Sequence, residues 1–279
     1  MTNWMKIDQF VKSWIQEAGE KIRNSLQGEL SVSAKSNAND LVTNVDRETE
    51  QFFVEKIRRT FPEHRILGEE GGGDRINDTN GVIWVIDPID GTMNFVHMRR
   101  NFAISIGVFE NGEGKLGYIY DVIQDDLYWA VKGQGAYFNR GALSKLTEVP
   151  VEKAIIGINA LWLTDNHRID PELVKPLIKD IRGSRSIGSA ALEFGYVSCG
   201  WLDGYIALHL APWDFAAGWV ILEELGGKAT KLNGEPLSLL ESSSLLAAKP
   251  GLHGKIIEKY FHSYTEKTLT TSVFKELLK

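Results

Sequence analysis

Val82-Ile83-Trp84-Val85-Ile86-Asp87-Pro88-Ile89-Asp90-Gly91-Thr92 carries the plainest structural signal in the chain. Its first five residues are apolar and β-prone without alternation, the pattern of a strand buried on both faces. Asp87 is expected to end that strand, because Pro88 has no N–H to continue a ladder. A turn there would bring Asp87 and Asp90 to one side and turn the Ile89 carbonyl inward. Two carboxylates and a carbonyl are the hard oxygen ligands that magnesium takes. Without a cation they would leave repelling charges at the end of a buried strand. Asp90-Gly91 also reads as a plain turn that Asp87 caps. The neighbouring residues favour the first reading: a turn through Gly91-Thr92 into Met93-Asn94-Phe95 would aim backbone N–H groups at an anion. A metal beside an anion cradle suits phosphoryl transfer, where catalysis is mainly positioning and charge neutralisation.

On the N-terminal side, Ile7, Phe10, Val11, Trp14, Ile15, Ala18 and Ile22 recur at helical spacing, with Gly28 closing the helix. Residues 31–40 read as a loop or an irregular hairpin. A second helix is expected from about Asp46 until Pro62 forbids it, and a short strand at 65–68 delivers Glu69 and Glu70 to its end. The glycine-rich segment 71–81 reads as a mobile loop. Strands follow at 102–109, 116–122 and 127–131, so the first half is helices and then a mostly antiparallel sheet. Beyond Pro150 the pattern alternates: strands at 154–158, 205–208 and 245–248, and helices at 171–180, 189–199, 213–225 and 253–262. Alternation of this kind predicts an α/β layer arrangement. The expected division is an α+β half over residues 1–150 with most of the metal ligands, and an α/β half over 151–279 carrying Asp214 and the substrate side.

Composition narrows the function classes. The chain has 279 residues with 43% hydrophobic and 24% charged side chains, ordinary globular values. A net charge of −6 offers no general attraction to nucleic acid or anionic membrane. A phosphorylated substrate would need a local cation instead. Cys199 is the only cysteine, which rules out an intrachain disulfide and thiolate-rich zinc sites; it reads as a buried packing residue. The N-terminus lacks the apolar run of a secretory signal, and no segment approaches the roughly 20 apolar residues of a membrane span. The expected location is the cytoplasm, with no membrane or nucleic-acid partner.

Other carboxylates matter through their company. Singly, Glu69-Glu70 reads better as a solvated acidic turn, Asp214 as a helix N-cap with Phe215 the first helical residue, and Asp46 as the cap of the second helix. Jointly, the motifs resemble the inositol monophosphatase family of lithium-sensitive, magnesium-dependent sugar phosphatases. The residues that carry the resemblance are Lys35 with Asp40-Leu41-Val42-Thr43-Asn44-Val45-Asp46, Gly68-Glu69-Glu70, and Trp84 through His97. Arg185-Ser186-Ile187-Gly188-Ser189-Ala190-Ala191 and Trp213-Asp214-Phe215-Ala216-Ala217-Gly218 complete the set, in family order.

The resemblance implies an α+β / α/β chain folded as a layered αβαβα sandwich of the inositol monophosphatase and fructose-1,6-bisphosphatase type, active as a homodimer. Carried over by position, Glu69, Asp87 and the Ile89 carbonyl would hold one magnesium ion, and Asp87, Asp90 and Asp214 a second. A third, weaker ion would sit near Glu69 and the phosphate, giving two to three Mg²⁺ per site. The Gly91 and Thr92 amides would grip phosphate, and Thr92 with Asp46 would orient and deprotonate the attacking water. Lys35 matches a position near the phosphate, while Arg185 and Ala190 match positions on the substrate side. His97 reads as a hydrogen-bonded structural histidine, His209 is ambiguous, and the tryptophans read as core.

One departure concerns specificity. Inositol-preferring relatives carry a glutamate seven residues before the aspartate of Trp-Asp, and here that position is Ala207. The implied activity is hydrolysis of inositol monophosphate and other small phosphate esters. The alternatives are a fructose-1,6-bisphosphatase, a phosphatase of NADP or a related nucleotide, or a non-catalytic partner in transcription or ribosome assembly.

Overall fold

A computed structural model describes residues 2–28, 30–34, 41–166 and 169–265. In chain order the elements are α1 (Trp4–Ser25), β1 (Val32–Ala34), β2 (Leu41–Thr43), α2 (Asn44–Thr60), β3 (Arg65–Gly68), β4 (Val82–Asp90) and α3 (Thr92–Met98). Then come β5 (Ala103–Glu110), β6 (Glu113–Asp121), β7 (Asp126–Val131), β8 (Gly135–Phe138), β9 (Gly141–Ala142) and β10 (Ile155–Ile158). The chain continues through α4 (Pro171–Asp180), β11 (Gly183–Arg185), α5 (Ala190–Ser198), β12 (Gly204–Leu210) and α6 (Pro212–Glu224), and ends with β13 (Lys228–Thr230), β14 (Ser243–Ala248) and α7 (Leu252–Ile256).

The strands form two large sheets. Seven are ordered β3-β4-β5-β6-β7-β8-β9, with β3 and β4 parallel and the rest antiparallel. Five are ordered β11-β10-β12-β14-β13, where β10 runs parallel to both neighbours and β14 antiparallel to both of its own. Helices α1 and α2 cover one face of the larger sheet. There Ile7, Val11, Trp14 and Ile15 pack with Phe53, Trp84 and Ile86. On the other face Ile83 and Val85 meet α5 and α6, which also touch the second sheet through Tyr205 and Ala247. Beyond that sheet, Val174 and Leu177 of α4 join Ile206, Leu246 and Ile256. The result is the expected αβαβα sandwich.

The middle helical layer explains two sequence features. Helix α6 is apolar on nearly every side because it lies between two sheets, burying Phe215, Ala216, Val220 and Ile221. Its backbone comes so close to the sheet that a Cβ at Gly117 would lie 2.4 Å from the Ala217 carbonyl oxygen. Strand β4, with helices over both faces, is buried at all nine positions.

Several expectations are corrected. Pro88 does not stop the ladder: β4 runs to Asp90, and pairing with β5 shifts by one residue between Asp87 and Asp90. A bulge supplies a place where no N–H is needed. Helix α2 starts at Asn44 with Thr43 as its cap, and α6 starts at Pro212, so neither Asp46 nor Asp214 is an N-cap. Segment 71–81 is tied down rather than loose. Asp74 bonds both backbone groups of Ile66, and Gly72 donates to Glu50 at 2.6 Å. Of the polar stretch after α1, β1 pairs antiparallel with β2, and residues 35–40 lie outside the described residues. Cys199 is half-buried rather than fully buried, and burial pushes its thiol up to about 12.

Candidate active site

The β4 bulge turns two carboxylates toward the space at the end of the middle helical layer. Asp87 is 2% exposed, and its Oδ1 accepts from the Ile89 N–H at 3.0 Å. Asp90 is buried too; its Oδ2 accepts from Ser189 Oγ and, at 2.8 Å, from the Ala191 N–H. The third member comes from the far half of the chain. Asp214 sits at the third position of α6, where Oδ2 accepts from the Ala211 N–H at 2.8 Å. Each of Asp87, Asp90 and Asp214 offers a carboxylate oxygen to a cluster whose atoms all lie within 4.8 Å of one another.

Asp46 uses the same device. At the third position of α2, its Oδ2 accepts from the Thr43 N–H at 3.0 Å and from the Thr43 hydroxyl. Its other oxygen, Oδ1, lies 3.1 Å from Thr92 Oγ1, which is also 3.1 Å from the Ile89 carbonyl. A capping aspartate therefore spends one oxygen on the helix end and turns the second into the site. Gly91, at φ +91°, makes the turn from β4 into α3 that puts Thr92 there.

Electrostatics show what the cluster would accept. Burial holds the Asp87 carboxyl well above its ordinary 3.8, and the charges of Glu69, Asp90 and Asp214 push it further. Burial raises Asp90 to about 6, against the pull of its Ser189 and Ala191 hydrogen bonds. Asp46 is also raised, first by burial, with Glu69 adding to it. Glu69, at the end of β3, therefore faces the same group although it stands outside the tightest cluster. Anionic oxygens gathered in a dry site fit a hard divalent cation: the donor set matches magnesium, and the ion would remove the repulsion.

A cavity of about 260 Å³ opens beside the cluster, lined by Asp90, Ala190, Tyr205, Ala207, His209 and Asp214 among others. Ala207 thus faces the space where a leaving group would lie. Arg185 does not line it; its guanidinium folds back onto the Ser184 carbonyl. His97 is exposed on α3, and among the described residues its ring shows no hydrogen bond, so it is not the bonded structural histidine expected. Trp213 is only partly buried, packed against the core. Lys35 lies outside the described residues.

Sequence reasoning missed Glu50. This buried carboxylate accepts from the Glu70 and Gly72 N–H groups at 2.7 and 2.6 Å, fixing the turn that carries Glu69. Gly68 makes room: a Cβ there would lie 2.3 Å from Glu50 Oε2. The signal was present, since Glu50 lies four residues after Asp46 and so on the same helical face. Asn94 and Glu193 were also overlooked, and nothing in their spacing distinguishes them from surface residues of short helices.

Fold and site together define a metal-dependent hydrolase of phosphate esters. Comparison with known proteins sharpens this. The sequence pattern of the inositol monophosphatase family matches residues 3–265, and the chain belongs to that family. It is 57% identical over 263 residues to the inositol-1-monophosphatase of Bacillus subtilis (strain 168), covering 94% of this chain and 99% of the relative. Among solved structures, SaIMPase-II with inositol monophosphate bound aligns at 40% identity with a TM-score of 0.84, covering 98% of this chain and 97% of the other. An IMPase/NADP phosphatase complexed with Mg²⁺ and phosphate aligns at 28% identity with a TM-score of 0.87, covering 96% and 100%. No helix among the described residues is long and apolar enough to cross a membrane.

Proposed function

We propose that this chain is a magnesium-dependent phosphomonoesterase that hydrolyses inositol monophosphate and other small phosphate esters. The observation that carries the reading is the Asp87–Asp90–Asp214 cluster standing beside the Thr92–Asp46 pair and a cavity of about 260 Å³. Asp87, Asp90 and Asp214 would hold one ion, and Glu69, Asp87 and the Ile89 carbonyl another, with room near Glu69 for a weaker third. Bound there, magnesium supplies Lewis acidity that neutralises phosphoryl charge and acidifies water. The chain's own residues do the rest. The Gly91 and Thr92 amides and Lys35 bind the phosphate, and Thr92 orients the attacking water. Asp46 Oδ1, next to the Thr92 hydroxyl, accepts its proton. As the new P–O bond forms, the ester P–O bond breaks, and the leaving alcohol takes up a proton from solvent. Ala190 lines the alcohol's side of the site.

The 57% identity to the Bacillus subtilis inositol-1-monophosphatase supports inositol monophosphate as a substrate. Ala207 supports a broader range, because a methyl group imposes no unpaired polar penalty on other esters. The IMPase/NADP phosphatase relative makes NADP the second substrate to examine. Lithium inhibition, a cytoplasmic homodimer and a division near residue 150 complete the proposal. With all four metal-site carboxylates present, the enzymatic reading is favoured over a purely non-catalytic role. A phosphate-release panel with magnesium tests it across inositol monophosphate, fructose 1,6-bisphosphate, NADP and adenosine 3′,5′-bisphosphate. Turnover of inositol monophosphate is expected; no release from any ester would overturn the reading.

A further inference from the structure

Ile187 is held at both ends of its backbone. Its N–H donates to Glu193 Oε1 at 2.8 Å, and its carbonyl accepts from Asn94 Nδ2 at 2.9 Å. The same Nδ2 donates to the Asn101 carbonyl at 2.8 Å. The two side chains come from opposite halves of the chain, Asn94 from α3 and Glu193 from α5, and both are buried. Just after the clamped residue, Gly188 adopts φ +83°, with Asn94 packed against it. Ser189 then caps α5, accepting from the Leu192 N–H at 3.2 Å, and donates to Asp90 Oδ2, the oxygen that also receives the Ala191 N–H.

The segment from Ile187 to Ala191 is thus pinned at one end by Asn94 and Glu193 and presents its donors, Ser189 and Ala191 among them, to Asp90 at the other. Glu193 is a costly choice for packing alone. It is 3% exposed, and its Oε2 is buried with no hydrogen-bond partner, wedged where a Cβ at Gly157 would lie 2.2 Å away. A leucine would avoid the desolvation. What leucine lacks is the acceptor for Ile187.

We infer that Asn94 and Glu193 are positioning residues, which hold the 187–191 segment so that Ser189 and Ala191 fix the Asp90 carboxylate in its place beside Asp87 and Asp214. Groups that orient a metal ligand commonly matter nearly as much as the ligand itself. The inference rests on the proposed magnesium site, and it concerns residues to which that proposal gives no role.

The test is titration calorimetry of magnesium into the full-length, chelator-stripped protein, with kcat and melting temperature measured on the same samples. Glu193→Leu is expected to weaken magnesium binding and lower kcat by about tenfold or more, and Asn94→Ala to act in the same direction. Glu193→Gln keeps the acceptor for Ile187 and should bring magnesium affinity back to within about threefold of wild type. The double variant should cost less than the product of the single effects, since both act on one peptide unit. A Glu193→Leu or Asn94→Ala protein with a lower melting temperature but wild-type magnesium affinity overturns the inference alone. A wild-type protein that binds no magnesium overturns both the inference and the functional reading beneath it.

Discussion

Asp90→Asn separates the charge of the cluster from its shape. The amide oxygen can still accept from Ser189 Oγ and the Ala191 N–H, so the start of α5 keeps its anchor. What changes is the face turned to Asp87 and Asp214, where an anionic oxygen becomes an NH₂. Removing one preorganised group that stabilises transition-state charge costs roughly 3–4 kcal/mol, so kcat should fall by about 10²–10³. The same substitution should stabilise the magnesium-free protein. Raising the Asp90 carboxyl from 3.8 to about 6 corresponds to up to about 3 kcal/mol of unfavourable ionisation at neutral pH, which the amide abolishes. In a chain of this size that is a rise in melting temperature of about 5 °C. The assay pairs phosphate release in magnesium with thermal melting in chelator. Undiminished turnover, or a lower melting temperature in chelator, would refute the assignment of Asp90 as a strained metal ligand.

Thr92→Ala should lower kcat by about 10²-fold while KM stays within about threefold, because the hydroxyl orients water and the Gly91 and Thr92 amides remain; steady-state kinetics showing only a KM change would make Thr92 a phosphate-binding residue. In chelator, thermal stability should fall as pH rises from about 5 to about 7.5. Asp90, raised to about 6, and Glu193, raised to about 7 by burial, bind protons more tightly folded than unfolded, so their contribution is complete below the unfolded values and lost as pH passes the folded ones. Magnesium should remove the Asp90 part of that slope, and calorimetric melts across pH with and without the ion would show it. Ala207→Glu should shift the kcat/KM ratio of inositol monophosphate over NADP upward by about tenfold, equivalent to about 1.4 kcal/mol; an unchanged ratio would mean that position 207 does not set specificity.

The layers were legible wherever burial leaves a strong mark on composition. The 82–86 run could only be a strand covered on both faces, and α6 is apolar all round because it lies between sheets. The boundaries were harder to read. Pro88 argues against a continuing ladder unless a bulge absorbs it, and a bulge has no local sequence signature. Asp46 and Asp214 were read as caps because a first-turn aspartate serves the N-cap and N3 positions alike. Only the fold shows that each reaches back to the residue before its helix while standing at the site, Asp46 with its second oxygen on Thr92 and Asp214 in the cluster with Asp87 and Asp90. Glu50 and Asn94 act on backbone groups distant in sequence, the longest reach being Asn94 to Ile187, and no spacing rule reports such contacts; Glu193 reaches back only to Ile187, across the turn that precedes its own helix. Glycines told more than they first suggested. Gly68 and Gly157 stand where a carboxylate from another element fills the space of a side chain.

The central claim is that aspartates from both halves of the chain, the buried Asp87 and Asp90 and the half-buried Asp214, make a magnesium site that powers phosphate-ester hydrolysis. It is tested most directly by phosphate release from inositol monophosphate by chelator-stripped protein titrated with magnesium. The account predicts no release without the ion and a saturable return of activity as magnesium is added. A rate that survives stripping, or one that magnesium does not restore, would contradict it.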